Sequence, residues 1–144
     1  MDDGSATTTP PGHRFIEHTG ELELRFEATD FASLLEESAH ALAGILAEDA
    51  DGAPTRAPER IELAAPDRES LLVGWLNELV YRGEVNKCVY GKVHVDRASD
   101  RHLKATVCGR EPSSPRTAVK AATWHRLRVK ETPAGFEATV VFDV

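Results

Sequence analysis

"PDRESLLVGWLNELVYRG", residues 66–83, is followed almost at once by "KCVYGKVHVDRA", residues 87–98. Between them the spacing of apolar residues changes. In the first stretch Leu71, Leu72, Trp75, Leu76, Leu79 and Val80 recur at three and four, the stripe of an amphipathic helix, and Asp67 is placed to cap its start. In the second the period is two, and so it is again in "RHLKATVCGRE" at 101–111, with a turn near Ser99 and Asp100 between the two runs. A helix that gives way to strands joined by a short turn points to α+β rather than to alternating β-α units.

Upstream, "ELELRFEA" at 21–28 alternates as a strand, entered through the short strand region "FIEHT". "DFASLLEESAHALAGILAED" at 30–49 carries Phe31, Leu34, Leu35, Ala39, Leu42, Ile45 and Leu46 on one face behind a capping Asp30, with Glu36 and Glu37 on its solvated side. "DGAPTRAP" is a loop and "ERIELAA" at 59–65 a weakly alternating strand. Downstream, "PSSPRTAVK" is a loop. "AATWHRLRVKE" and "GFEATVVFDV" form a last hairpin around Pro133, Ala134 and Gly135. The expected fold is α+β: two amphipathic helices packed on one face of a mixed, mostly antiparallel sheet of about six strands. Residues 1–13, polar and proline-broken, read as a flexible tail, and 14–144 as one domain.

Composition bounds the function. The chain has 144 residues, and no apolar run approaches the roughly 18 to 20 that span a bilayer. Its N-terminus lacks a secretion signal, so the expected address is the cytoplasm, with no membrane partner. A net charge of −7 disfavours strong direct binding of nucleic acid. Cys88 and Cys108 form no CxxC pair and read as free thiols. Phosphate-binding glycine loops, a Ser-His-Asp arrangement and paired zinc-ligand spacing are all absent from the sequence.

Three segments can carry chemistry. "EHTGE", Glu17–Glu21, sets carboxylates and an imidazole around a glycine; carboxylates are hard ligands for Mg²⁺, Ca²⁺ or Mn²⁺, but the segment reads equally as a solvated loop. At the other end the sequence stops one residue after Asp143, placing the α-carboxylate of Val144 beside that side chain. Two such charges repel unless a cation or basic group neutralises them, or unless the end frays into water. Third, "RTAVKAATWHRLRVK" at 116–130 holds Arg116, Lys120, Arg126, Arg128 and Lys130 with no acid. It suits phosphates or an acidic protein partner, or it is the solvated face of an amphipathic strand.

Taken in order, four segments resemble the archease family. Glu17-His18-Thr19-Gly20-Glu21-Leu22 is similar to the family's D/E-H-T-A-D-I opening. Leu71-Leu72-Val73-Gly74-Trp75-Leu76-Asn77-Glu78-Leu79 matches its second-helix pattern, and Lys120-Ala121-Ala122-Thr123-Trp124-His125 its K-A-[VI]-T-Y-H. Asp143-Val144 matches its ending of an Asp and one aliphatic residue. The resemblance implies a small α+β protein that activates an RtcB-type RNA ligase, which joins RNA ends with GTP and Mn²⁺ through a histidine-linked guanylate. Family members speed guanylylation and allow repeated turnover in tRNA splicing and RNA repair, without being the catalyst.

The same resemblance implies a divalent metal (Ca, Mg or Mn) held by Glu21 and Asp143 with an oxygen of Val144. The segments 14–26 and 136–144 must then lie side by side. Glu21 stands where the family has Asp, and Trp124 where it usually has Tyr. Lys120 and the basic strand 124–130, with Arg126 and Arg128, are expected to serve docking rather than the metal. His18 is expected to orient its neighbours and His125 to meet the partner. The competing readings are a stand-alone metal-dependent phosphohydrolase and a general chaperone or RNA-binding module.

Overall fold

Asp30 and Asp67 start the two helices in the computed structural model, which describes residues 20–144 in full and, before them, the backbone of 7–8 and 13–18. Each aspartate is extended, and its carboxylate accepts a backbone N–H three residues on, from Ser33 and Ser70 respectively, at 2.7 Å. Those bonds satisfy donors that the first helical turn leaves without partners. The helices are α1 (Phe31–Leu46) and α2 (Arg68–Asn86). Around them run β1 (Thr7–Thr8), β2 (His13–His18), β3 (Glu21–Ala28), β4 (Glu59–Ala64), β5 (Val89–Ala98), β6 (His102–Arg110), β7 (Ala121–Thr132) and β8 (Gly135–Asp143).

The α+β class is the one implied by the period change. The strands, however, are divided between two sheets: β1-β2-β3-β8-β7 and β4-β6-β5, with antiparallel pairing throughout the described residues. Alternation identifies strands but not their partners, and the segment 111–120 carries the chain from the smaller sheet to the larger. Within the expected tail, Thr7 and Thr8 pair with Phe15 and Arg14; residues 1–6 and 9–12 lie outside the described residues.

Each helix packs on both sheets. α1 lies against β5, β3 and β8, and α2 runs along β7 with further contact to β4, β5 and β6. Both apolar stripes are buried there, with Leu24, Phe26, Val140 and Phe142 of the larger sheet and Ile61, Leu103 and Val107 of the smaller. Trp75 is fully buried and donates its indole N–H to the Leu35 carbonyl of α1 at 2.9 Å, so its one polar atom is satisfied in the core. Cys88 is buried and Cys108 half-buried, both as free thiols.

Two contacts differ from their sequence reading. Glu36 is not merely solvated: it accepts the Val95 backbone N–H at 2.7 Å, beside the irregularity where β5 slips register against β6. The exposed edge of β7 is also covered. Asn77 of α2 both donates to the Ala122 carbonyl (3.0 Å) and accepts its N–H (2.7 Å), and Glu69 accepts the Val129 N–H at 3.3 Å. Edge strands left with free donors and acceptors invite pairing with other chains, and here a helix supplies the missing partners.

Candidate functional site

Gly20 stands between β2, which ends at His18, and β3, which begins at Glu21. Gly20 has φ +73°, the left-handed region that glycine enters without a Cβ penalty. In the register of these strands His18 opposes Glu21, and Glu21 in turn opposes Asp143 of β8. Asp143 also opposes Ala121 of β7. One row across the sheet therefore runs His18, Glu21, Asp143, Ala121. The side chain of His18 lies outside the described residues, so its expected orienting role has no described contact.

The end of the chain is tied into this row. The Val144 N–H donates to the Gly20 carbonyl at 3.2 Å, and the Lys120 N–H donates to the Asp143 carbonyl at 2.8 Å. Segments 14–26 and 136–144 thus lie side by side through the register of β3 with β8. The two carboxylates project from the face opposite Leu22, Leu24, Phe142 and Val140, which point into the core. Glu21 is half-buried and Asp143 exposed. Like charges directly opposite on neighbouring strands destabilise a sheet, so the pair calls for a positive partner.

Arg126 is such a partner. Between Thr123 and Arg128 β7 departs from regular pairing with β8: five steps along β7 match the two steps from Val141 to Thr139. The four residues 124–127 bulge out, and Arg126 adopts φ +52° within the bulge. Its guanidinium reaches across β8 to β3. Nε donates to Glu23 Oε1 at 3.1 Å, and Nη2 lies 3.8 Å from Glu21 Oε1. Val141, opposite Glu23 in the register of β3 with β8, is fully buried although it belongs to the outer face. Glu23, with only 6% of its side chain exposed, also accepts from Arg25 at 2.9 Å. Nη1 lies 2.9 Å from His125 Nε2. A guanidinium only donates, so that ring nitrogen accepts, as in a neutral imidazole with its proton on Nδ1.

The structure therefore redistributes the sequence-predicted residues. Glu21, Asp143 and Val144 come together. Arg126, expected to serve docking, is bound to the acids Glu23 and Glu21. Lys120 and His125 are exposed near the same end of the sheet, as is Trp124 at 62%, whereas Arg128 is exposed midway along the sheet, opposite Thr139. Glu23 was overlooked by sequence reasoning because E-L-E-L-R-F reads as a strand with every second residue in water. Among the described residues no three His, Cys, Asp or Glu side chains converge as a metal would require. Two carboxylates are present, and further oxygens must come from the main chain, from water or from a partner.

Comparison with known proteins finds relatives that match along nearly the whole chain. The family model of the archease proteins matches residues 13–144. The chain is 30% identical over 140 residues to the archease of Methanosarcina acetivorans, covering 92% of this chain and 95% of that one. The solution structure of Methanobacterium thermoautotrophicum protein 1598 superposes with a TM-score of 0.72 at 26% identity, covering 92% of this chain and 99% of that one. An archease crystal structure from Thermotoga maritima, described as a possible chaperone, shares the fold with a TM-score of 0.66 at 18% identity, over 96% of this chain and 98% of that one.

Proposed function

Because this chain belongs to the archease family, we propose that it is a non-enzymatic, cytoplasmic activator of a GTP- and Mn-dependent RNA ligase of the RtcB type. Its task is to promote guanylylation of the ligase and repeated turnover in tRNA splicing and RNA repair. The observation that carries this reading is the cross-strand pairing of Glu21 with Asp143 at the end of the larger sheet. No helix of the described residues is long and apolar enough to cross a membrane.

The donor set fits a hard divalent cation. Glu21 and Asp143 are oxygen ligands on adjacent strands, and the Arg126 guanidinium already stands near Glu21 as a positive charge. Glu21, Asp143 and an oxygen of Val144 would hold Ca²⁺, Mg²⁺ or Mn²⁺. Bound there, the ion would offer positive charge and open coordination positions beside phosphate oxygens. The chain's own residues do the rest. Register holds the two carboxylates together, and exposed Lys120 and His125 present donors to a partner near that end, with Arg128 exposed further along β7. Glu in place of the family's Asp reaches one methylene further across the row without changing the donor type.

The test is a guanylylation assay of the ligase with GTP and Mn²⁺, with and without this protein. Activation by the wild-type chain, lost with folded Asp143→Ala and Glu21→Ala variants, is the expected result. A ligase indifferent to the protein overturns the proposal. Hydrolysis of phosphate esters by the isolated chain would favour the stand-alone hydrolase.

A further inference from the structure

We propose that Arg126 is the resident counter-ion of the carboxylate pair, that its link to Glu21 and a bound divalent cation exclude one another, and that cation binding therefore loosens the 124–127 bulge while its anchor on Glu23 remains. This inference rests on the metal reading above.

The two ends of Arg126's bridge are unequal. Its bond to Glu23 is 3.1 Å and ends on a carboxylate that is almost fully buried and already held by Arg25. Its approach to Glu21 is 3.8 Å, between side chains that are 46% and 35% exposed. The Glu21 end is the one that yields. A calcium ion takes carboxylate oxygens at about 2.3–2.6 Å, and a guanidinium close to the same oxygen would face a second full positive charge. Glu21 cannot serve both well. Arg126 reaches the acids from a backbone in the left-handed region, where a side chain with a Cβ is strained. Losing the Glu21 contact removes part of what holds that conformation.

The bulge carries Trp124, which is exposed, and His125, which contacts Arg126 Nη1. A shift of Arg126 is thereby communicated to an exposed aromatic group on this sheet. Linkage makes the effect reciprocal: whatever factor Arg126 subtracts from cation affinity, the cation subtracts from Arg126's hold on Glu21. Bound cation and the surface of the bulge are coupled through one side chain.

The test titrates the full chain with CaCl₂, and separately with MnCl₂, by calorimetry while tryptophan fluorescence is followed. Wild type, Arg126→Gln and Trp124→Phe are compared. Trp75 is the other tryptophan and is wholly buried, so a change lost in Trp124→Phe belongs to the bulge. Exposed pairs of this kind contribute modestly, so Arg126→Gln should bind roughly two- to five-fold more tightly. The wild-type fluorescence change should follow the heat and be absent from Arg126→Gln. If that variant fails to fold, Arg126→Gly, which the left-handed backbone accommodates, takes its place with the same expectation. Equal or weaker affinity without Arg126, or a fluorescence change that survives its removal, overturns the exclusion while leaving the metal reading standing. Binding by none of the proteins sinks both.

Discussion

Glu23 and Arg126 are 103 residues apart in sequence and 3.1 Å apart in space, joined across β8 on the larger sheet. Glu23 is the anchor because Arg25 grips its other oxygen. Removing one partner of a buried charge pair is destabilising, but here both arginines are half exposed and can rehydrate. Glu23→Ala should therefore lower stability by roughly 1–2 kcal/mol, more than Arg126→Gly, which also relieves a strained backbone. Urea denaturation with an unchanged m-value checks this. A neutral Glu23→Ala would mean that the bridge does not hold the bulge.

Asp143→Ala should leave the fold intact. The side chain is exposed, leaves no cavity, and its loss removes one of two facing negative charges, so the stability change should stay within about 0.5 kcal/mol. The Lys120 N–H and Val144 N–H bonds use main-chain oxygens and survive the change. Thermal unfolding measures this, and the guanylylation assay measures the loss of activation expected of the same variant. A well-folded Asp143→Ala protein that activates the ligase fully would remove Asp143 from the site.

Which parts were legible in advance follows from the range of each interaction. Asp30 and Asp67 cap helices three residues away, and the hairpin around Gly135 closes over three, so local chemistry suffices to read them. The approach of Glu21 to Asp143 was expected through the family resemblance, and the β3–β8 register contains it. Periodicity could not assign the strands to two sheets, since a period of two is the same whichever neighbour a strand has. The bulge at 124–127 was hidden for a related reason: W-H-R-L-R-V-K alternates well enough to pass for a regular strand. With that bulge unseen, Arg126 looked like a solvated docking charge and Glu23 like a surface acid. Glu36 misled in the same way, because the Val95 N–H it accepts is 59 residues distant.

Asn77→Ala tests the protection of the sheet edge. Its amide makes two bonds to the Ala122 backbone, the pattern a further strand would make, and both groups are partly buried. Removing it strands a backbone donor and acceptor, at roughly 1–3 kcal/mol. The same loss uncovers the β7 edge, so the variant should also self-associate more readily at high concentration. Asn77→Asp keeps an acceptor for the Ala122 N–H but loses the donor, and should fall between. Sedimentation and denaturation measured together decide it. Unchanged stability in the alanine variant would show that water replaces the amide freely.

The loop 111–120 is fastened to the end of α1 by one carboxylate, and that makes its stability dependent on pH. Asp49 accepts the Ser113 N–H (2.9 Å) and hydroxyl (2.8 Å), the Ser114 N–H (3.0 Å) and the Arg110 Nε (3.2 Å). These donors, the Ser113 N–H foremost, hold its pKa well below the ordinary carboxylate range. The loop's backbone continues the attachment through Glu48, Leu46 and Ile45. A carboxylate whose pKa is depressed on folding contributes stability above its unfolded pKa of about 3.9. That contribution is lost as the pH falls below that value towards the folded pKa. The difference in unfolding free energy between wild type and Asp49→Asn should accordingly be constant from pH 5 to 7 and shrink steadily below about pH 4. Asp30 and Asp67 are depressed in the same direction by their Ser33 and Ser70 caps, but they are common to both proteins and cancel in the comparison. A difference that persists undiminished at pH 2 to 3 would mean that the clamp works through shape rather than charge.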